Sequence, residues 1–183
     1  MTERVSCAAL IDFVLRLVND VDAAVHSRDD VQAALDVYRM EARYVSLMPV
    51  PTKTGAGTSY LTFEADSGDW ETDGTLYDGA YAALTPATAD WTAGRWAFAT
   101  EPVRPVHLLG WTHDPYAAAA DLLTVRAAQL SEEYDFKTGP DSYSRSQRGG
   151  QLLALAGQYR AMSKTGGLGS SFTQMERVDV LPG

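Results

Sequence analysis

The chain has 183 residues and a formal net charge of -9, from 15 lysines and arginines against 24 aspartates and glutamates. This length suits one domain that buries roughly 70% of its unfolded surface. The acidic balance argues against a surface that grips nucleic acid, because such affinity comes from Lys and Arg neutralising phosphates. A single cysteine, Cys7, makes no internal disulfide, which suits a reducing cytoplasm.

Two amphipathic helices are predicted first. Apolar residues at helical spacing predict a helix over residues 6–25. A second helix, over 28–46, follows Ser27, which stands three residues before Asp30 in a capping-box pattern. The stretch "MPVPTKTGAG" is expected to end this helix, since prolines and glycines do not continue one. The first residues lack the basic start of a signal peptide, and no segment has the length and apolarity of a membrane span.

A change of period from 3.6 to two predicts β-structure over residues 58–112. The stretch "TSYLTFEA" alternates apolar and polar residues, as a half-buried strand does. Shorter strand patterns follow, separated by Gly, Pro and Asp, and Thr92-Ala93-Gly94 has the composition of a tight hairpin turn. These patterns predict a small antiparallel sheet.

Helical patterns return in the last third of the chain. Asp114 and Pro115 form a strong start signal for a helix over 115–134, and a last helix is predicted over 145–163. The polar stretch "YDFKTGPDSYSRSQRGG" is interpreted as the joint of a helical hairpin, with a capping box formed by Ser144 and Gln147.

The resulting fold class is α+β: a bundle of about four helices, with a small antiparallel sheet inserted between helices 2 and 3 and an extended C-terminal tail. Residues 1–163 form the domain and residues 164–183 a flexible arm that begins with Gly and Ser.

Motifs of known chemistry are weak in this chain. The stretch "KTGAGTS" precedes a strand where a dinucleotide site needs a helix, and "KTGGLGSS" has its lysine on the wrong side of the glycines for a phosphate loop. His107, His113 and Asp114 are the best candidates for a metal or an enzyme site, but they lack a recognised spacing. We therefore predict no catalytic residue, no metal and no cofactor.

Acidic residues are concentrated in the predicted sheet. Residues 54–94 contain no Lys or Arg. Such a surface is either a solvated acidic face or one that repels DNA or pairs with a basic partner. The acidic residues of this face that we select as candidates are Glu64, Asp66, Asp69, Glu71 and Asp73.

The order of several stretches resembles the head-to-tail adaptor, or connector, proteins of tailed bacteriophages. These stretches are "DDVQAALDVYRMEARYVSLMP", the "TAGRWAFAT" hairpin before "VHLLGWTHDPYAAAADLL", and "YDF" followed by a polar turn and "SYSRSQ". The resemblance covers most of residues 28–162. It is carried by composition and order, with no catalytic motif, and it does not extend to Gly149-Gly150 or to the tail beyond Lys164.

The resemblance implies a structural protein of the virion neck, assembled in the host cytoplasm and not an enzyme. Its subunits form a homo-oligomeric ring of typically about twelve copies, which requires two different surfaces on each subunit. The ring joins the portal protein to a downstream neck or tail-completion protein and lets DNA pass without specific binding or membrane contact.

Two parts of the chain have expected roles in such a ring. The five acidic residues of the sheet face the DNA channel, where negative charge prevents sticking. The C-terminal arm reaches a partner and adds to its sheet as a strand. Its anchors are the apolar residues Phe172, Met175, Val178, Val180 and Leu181.

Two alternatives of other classes stay open at this point: a monomeric binding module that uses the sheet and its tryptophans, and a small-molecule enzyme that uses the acidic β region.

Overall fold

The computed structural model describes residues 3–54, 57–134 and 142–164. Within them the fold is mixed α+β, with four α-helices and two four-stranded antiparallel sheets, which confirms the predicted class. A 3-10 turn, Val5–Cys7, precedes the helices. The helices are α1 Ala8–Leu17, α2 Arg28–Val37, α3 Pro115–Tyr134 and α4 Ser142–Met162. The strands are β1 Met40–Ser46, β2 Met48–Thr54, β3 Gly57–Glu64, β4 Thr75–Tyr77, β5 Ala83–Leu84, β6 Thr88–Asp90, β7 Arg95–Ala97 and β8 His107–Thr112.

Helix α3 is the centre of the helical part, since it contacts α1, α2 and α4. The alanines of its first turns are buried because their small side chains let neighbouring helices approach closely. Both predicted start signals are confirmed: Ser27 and Asp30 form a capping box, and Asp114 accepts a hydrogen bond from the Ala117 N–H at 3.0 Å. The core around α3 consists of Cys7, Leu10, Ile11, Val14, Leu15, Val31, Leu35, Ala118, Ala119 and Leu122.

The predicted helix over 6–25 is too long, because α1 ends at Leu17. The Asp20 carboxylate accepts hydrogen bonds from the backbone N–H groups of residues 24–26, which folds the chain into a turn. The left-handed backbone of Asn19, at φ 56°, also marks this turn. A short polar side chain that competes for backbone N–H groups favours a turn over a helix.

The predicted helix over 28–46 is wrong beyond Val37. Residues 40–46 form β1, which pairs with β8 in the register Ala42 to Gly110 and Val45 to Leu108. Ala42 and Val45 are three residues apart and therefore also fit a helical face, but strand pairing overrides that local preference. The β-structure accordingly begins at Met40, and the prediction that it begins at residue 58 is wrong.

The β-structure is two sheets where one was predicted. Their strand orders are β1-β8-β4-β5 and β2-β3-β7-β6. The predicted turn at 92–94 does connect β6 to β7, and Gly94 adopts a φ of 69° there. Strand β2 is an edge strand, which explains how it accommodates Pro49 and Pro51.

One apolar core lies between the two sheets. The rings of Trp96 and Trp70 pack edge to face at 6.5 Å, and Trp91 packs on Trp96 at 5.3 Å. Trp96 is fully buried. The other members of this core are Leu47, Phe63, Leu76, Phe98, Val106 and Leu108.

Helix α4 begins three residues before the predicted start at residue 145. Ser144 therefore lies inside the helix, and the predicted capping box at Ser144 is wrong. The seam between α3 and α4 is formed by Ala120, Leu123, Leu152, Leu155, Ala156 and Tyr159.

Candidate functional site

A network of charged and polar groups around a buried carboxylate lies where the helical part meets the sheets. Its centre is Glu71, which lies in the segment between β3 and β4. The backbone N–H of Glu71 donates to Trp111 O at 2.9 Å. The next residue, Thr72, donates to Ser6 O at 3.1 Å, so this segment also holds the residues that precede α1. We call the network the Glu71 joint; its charged and polar members are Arg4, Ser6, Asp36, Arg39, Glu71 and His113.

The Glu71 carboxylate accepts hydrogen bonds on both oxygens and has no exposed surface. Its Oε1 accepts from Arg39 Nε at 2.7 Å and lies 2.8 Å from His113 Nε2. Its Oε2 accepts from Ser6 Oγ at 3.0 Å and from Arg39 Nη2 at 3.2 Å. Burial by itself raises the pKa of Glu71, but hydrogen bonds from Arg39, His113 and Ser6 outweigh it and lower the pKa to about 2. The carboxylate is therefore ionised at neutral pH.

The two arginines of the joint connect it to α2 and to β8. Arg4 forms a bidentate ion pair with Asp36 on α2, and its backbone N–H donates to the buried Gln32 Oε1 at 2.7 Å. The Arg39 guanidinium lies 3.9 Å from the centroid of the Trp111 ring, a cation–π contact.

His113 is enclosed between two oxygen acceptors. Its Nδ1 lies 3.1 Å from Leu35 O, and its Nε2 faces Glu71. Both ring nitrogens therefore face oxygen acceptors, and the contact of Nε2 with Glu71 links the start of α3 to the sheet segment.

Cys7, Glu71 and His113 offer three metal-ligand atoms within 4.8 Å of one another. The surroundings do not suit a cation, however. Arg4 Nη2 donates to Cys7 Sγ at 3.3 Å, and Arg39 Nε donates to Glu71 Oε1 at 2.7 Å. Two guanidinium groups in contact with the ligand atoms repel a metal ion, and they already neutralise the single carboxylate, that of Glu71.

The same three residues do not have the geometry of a cysteine–histidine nucleophile relay. In such a relay the thiol and the carboxylate contact different ring nitrogens. Here Cys7 Sγ, at 4.0 Å, and Glu71 Oε1, at 2.8 Å, both approach Nε2 of His113. Burial raises the pKa of the Cys7 thiol, which opposes formation of the nucleophilic thiolate.

The end of α4 is attached to the same junction. Ser163 Oγ donates to the buried Asp114 carboxylate at 2.8 Å. Lys164 Nζ lies 2.8 Å from Asp69 Oδ2 and donates to Gly68 O at 2.9 Å and to His113 O at 3.1 Å. The position from which residues 165–183 depart is therefore held next to the joint.

The five acidic candidates lie in different environments. Glu71 is buried, so the prediction that it faces a channel is wrong for this residue. Asp69 is engaged by Lys164, and Glu64 pairs with Arg95 at 3.2 Å. Asp66 and Asp73 are exposed, and Asp73 borders a groove that Glu41 and Trp111 also line.

The other sequence candidates are not brought together with the joint. His107 and His113 lie at and just beyond opposite ends of β8, too far apart to share a metal ion. Phe172, Met175, Val178, Val180 and Leu181 lie outside the described residues.

Sequence reasoning missed the joint, although it selects His113 as a candidate metal or enzyme residue and Glu71 as a candidate acidic surface residue. The residues that contact Glu71 lie 32 to 67 positions away from it along the chain. The nearest local signal is "RMEARYVS", residues 39–46, where a strand, and not a helix, follows Arg39, whose side chain contacts Glu71.

No protein-family model, no curated protein and no solved structure matches the chain. Among the described helices, none combines the length and the apolarity needed to cross a bilayer.

Proposed function

We propose that the protein is a head-to-tail adaptor of a tailed bacteriophage, one subunit of a ring that sits under the portal and joins the capsid to the neck or tail. The proposal begins from the resemblance of residues 28–162 to that family. It includes an arrangement in which the helices form a bundle, the sheets form the insertion, and residues 164–183 form an extended arm.

The Glu71 joint is the observation that carries the proposal. A ring of identical subunits closes only when the two contact surfaces of each subunit keep a fixed relative rotation. In this chain one surface belongs to the helices and the other to the sheets. The fully buried Glu71 carboxylate ties these two parts together through its ion pairs with the partly exposed Arg39 and Arg4 and its contact with the buried His113. A rigid subunit with two chemically different faces suits a ring component.

The surface charge supports passage of DNA through such a ring. Asp66 and Asp73 remain exposed on the sheet part, and the side chain of Glu64 is 41% exposed. Carboxylates along a channel repel phosphates, so that DNA slides through without being held. The alternative classes receive less support, because the buried Cys7, Glu71 and His113 match neither a nucleophile relay nor a metal site.

Light scattering with the cognate portal tests the proposal. We expect the protein to bind the portal with the stoichiometry of a ring, whether or not it forms rings alone. The Glu71→Gln variant should bind less well, since it loosens the joint. A wild-type protein that stays monomeric in the presence of the portal contradicts the proposal.

A further inference from the structure

Four aromatic rings form a continuous patch on the sheet that contains β1, β4 and β8. The Tyr44 centroid lies 5.8 Å from Tyr77 and 5.8 Å from Tyr81, and Tyr81 stacks on His107 at 6.0 Å with an interplanar angle of 9°. Val103, which accepts a hydrogen bond from the Gly79 N–H, adjoins the loop of Tyr81. Tyr44, Tyr81 and Val103 are 50%, 65% and 61% exposed. We call these five residues the aromatic patch.

The two exposed tyrosines are held in an unfavourable backbone conformation. Tyr44 has a φ of 51° and Tyr81 a φ of 61°. Tyr44 lies in a β-bulge of β1, between the pairs formed by Ala42 and Val45, where glycine is the residue that the geometry favours. A left-handed backbone costs a residue with a β-carbon free energy that glycine avoids.

Subunit stability does not explain why tyrosine occupies these positions. Much of each ring stays in water, so burial offsets little of the backbone cost. A strained backbone that presents an exposed aromatic side chain is typical of a binding surface, where tyrosine is a frequent anchor.

The C-terminal residues of the same chain are placed to cover this patch. Lys164 Nζ donates to His113 O, just beyond the end of β8, and His107 is the first residue of β8. The six residues of β8 span about 20 Å. Residues 165–183, when extended, reach about 60 Å.

The chemistry of residues 165–183 complements the patch. Phe172 offers a ring for edge-to-face contact with tyrosine, and Met175 offers a thioether that packs well on aromatic rings. Since Lys164 holds the start of the segment at the opposite end of β8, within reach of the patch, the effective concentration of the segment there is about millimolar, which favours it over a separate molecule.

We propose that in the free subunit, before the segment extends to a partner, residues 165–183 dock on the aromatic patch of their own chain, with Phe172 and Met175 as anchors. This inference does not require the adaptor function, because it depends on the patch, its strained tyrosines and the position of Lys164.

Cysteine cross-linking in the full-length protein tests this docking. Val103→Cys is combined with Ser171→Cys, and in a second pair with Thr173→Cys, and diamide is added as the oxidant. Cys7 is fully buried and does not compete. The matched control pairs Ser171→Cys with Val125→Cys, because Val125 on α3 is 54% exposed. We expect at least one of the two pairs that contain Val103→Cys to form an intramolecular disulfide at least tenfold faster than the control pair does.

Two further substitutions separate docking from folding. Tyr44→Gly should reduce cross-linking to the rate of the control while the protein stays folded, since glycine adopts a φ of 51° without strain. Phe172→Ser should do the same. Asn19→Gly makes the matching backbone change at a φ of 56°, away from the patch, and should leave the rate unchanged.

Three outcomes overturn the proposal. One is equal rates for both pairs and their control, and another is a rate that neither Tyr44→Gly nor Phe172→Ser lowers. The third is a disulfide that forms between two chains only, which assigns the patch to a second copy.

Discussion

The Glu71 carboxylate lies 2.8 Å from Nε2 of His113, and neither side chain has exposed surface. Glu71 belongs to the segment that leads into β4, whereas His113 directly precedes the helix cap of α3. This single contact therefore joins the sheets to the central helix of the bundle. Because Arg4 and Arg39 also converge on Glu71, the loss of its charge affects every element that meets there.

Glu71→Gln should strongly destabilise the protein. The substitution leaves the guanidinium groups of Arg4 and Arg39 beside a neutral amide, and removing one partner of a buried ion pair costs about 3–5 kcal/mol. Urea unfolding, followed by circular dichroism, measures the loss. Glu64→Gln is the matched control, since Glu64 pairs with Arg95 near the surface, where such a pair contributes about 1 kcal/mol or less. Equal effects of the two substitutions would show that the joint is not a central contact.

The joint also predicts how stability depends on pH. The pKa of Glu71 is lowered from 4.5 in the unfolded chain to about 2 in the folded protein, because its hydrogen bonds outweigh the effect of burial. A lowered pKa stabilises the fold fully above pH 4.5, and this stabilisation is lost as the pH falls towards 2. Other carboxylates titrate in the same range, so the informative quantity is the difference between wild type and Glu71→Gln. The free-energy gap between them should narrow from pH 5 to pH 2, and a constant gap contradicts the assignment.

Lys164→Gln should loosen the attachment of the C-terminal residues to the joint. The change removes the contact with Asp69 and the hydrogen bonds to Gly68 O and His113 O. Hydrogen bonds from a charged group are each worth about 1.5–3 kcal/mol, and partial exposure lowers this to a net loss of about 1–2 kcal/mol. Hydrogen exchange of the His113 amide, which donates to Asp69 O at 3.0 Å, should accelerate. Lys53→Gln on the exposed edge strand β2 serves as the control and should change neither quantity.

Two glycine substitutions should have opposite effects. A β-carbon at Gly150 on α4 meets nothing within 4 Å, so Gly150→Ala should stabilise the protein by about 0.5–1 kcal/mol through helix propensity. A β-carbon at Gly68 would lie 2.1 Å from Thr92 O, and Gly68→Ala should therefore lower the melting temperature by several degrees, corresponding to a loss of more than about 1 kcal/mol. Thermal unfolding of both variants measures the contrast. If Gly150→Ala is also destabilising, another chain contacts that face of α4.

The parts of the fold that depend only on residues adjacent along the chain were predictable from the sequence. The Ser27 capping box, the Asp114 cap and strand β3 are encoded in four to eight consecutive residues, and the structure confirms them. The segment 40–46 was not predictable, because its apolar spacing fits a helix and only its pairing with β8 makes it a strand. The division into two sheets depends on the same long-range pairing.

The candidate site was less predictable than the fold. The sequence predicts that Glu71 belongs to an acidic surface, because its sequence neighbours Asp69 and Asp73 are also acidic. Its burial results from Arg39 and His113, which lie 32 and 42 residues away along the chain. A local pattern contains no information about partners at that distance.

Electron microscopy of the cognate portal mixed with this protein tests the central claim most directly. The account predicts an additional ring on the tail-facing side of the portal, with the portal's own rotational symmetry and with density for both the helical and the sheet part of every subunit. Portal particles that show no added density at saturating protein concentration would contradict the account.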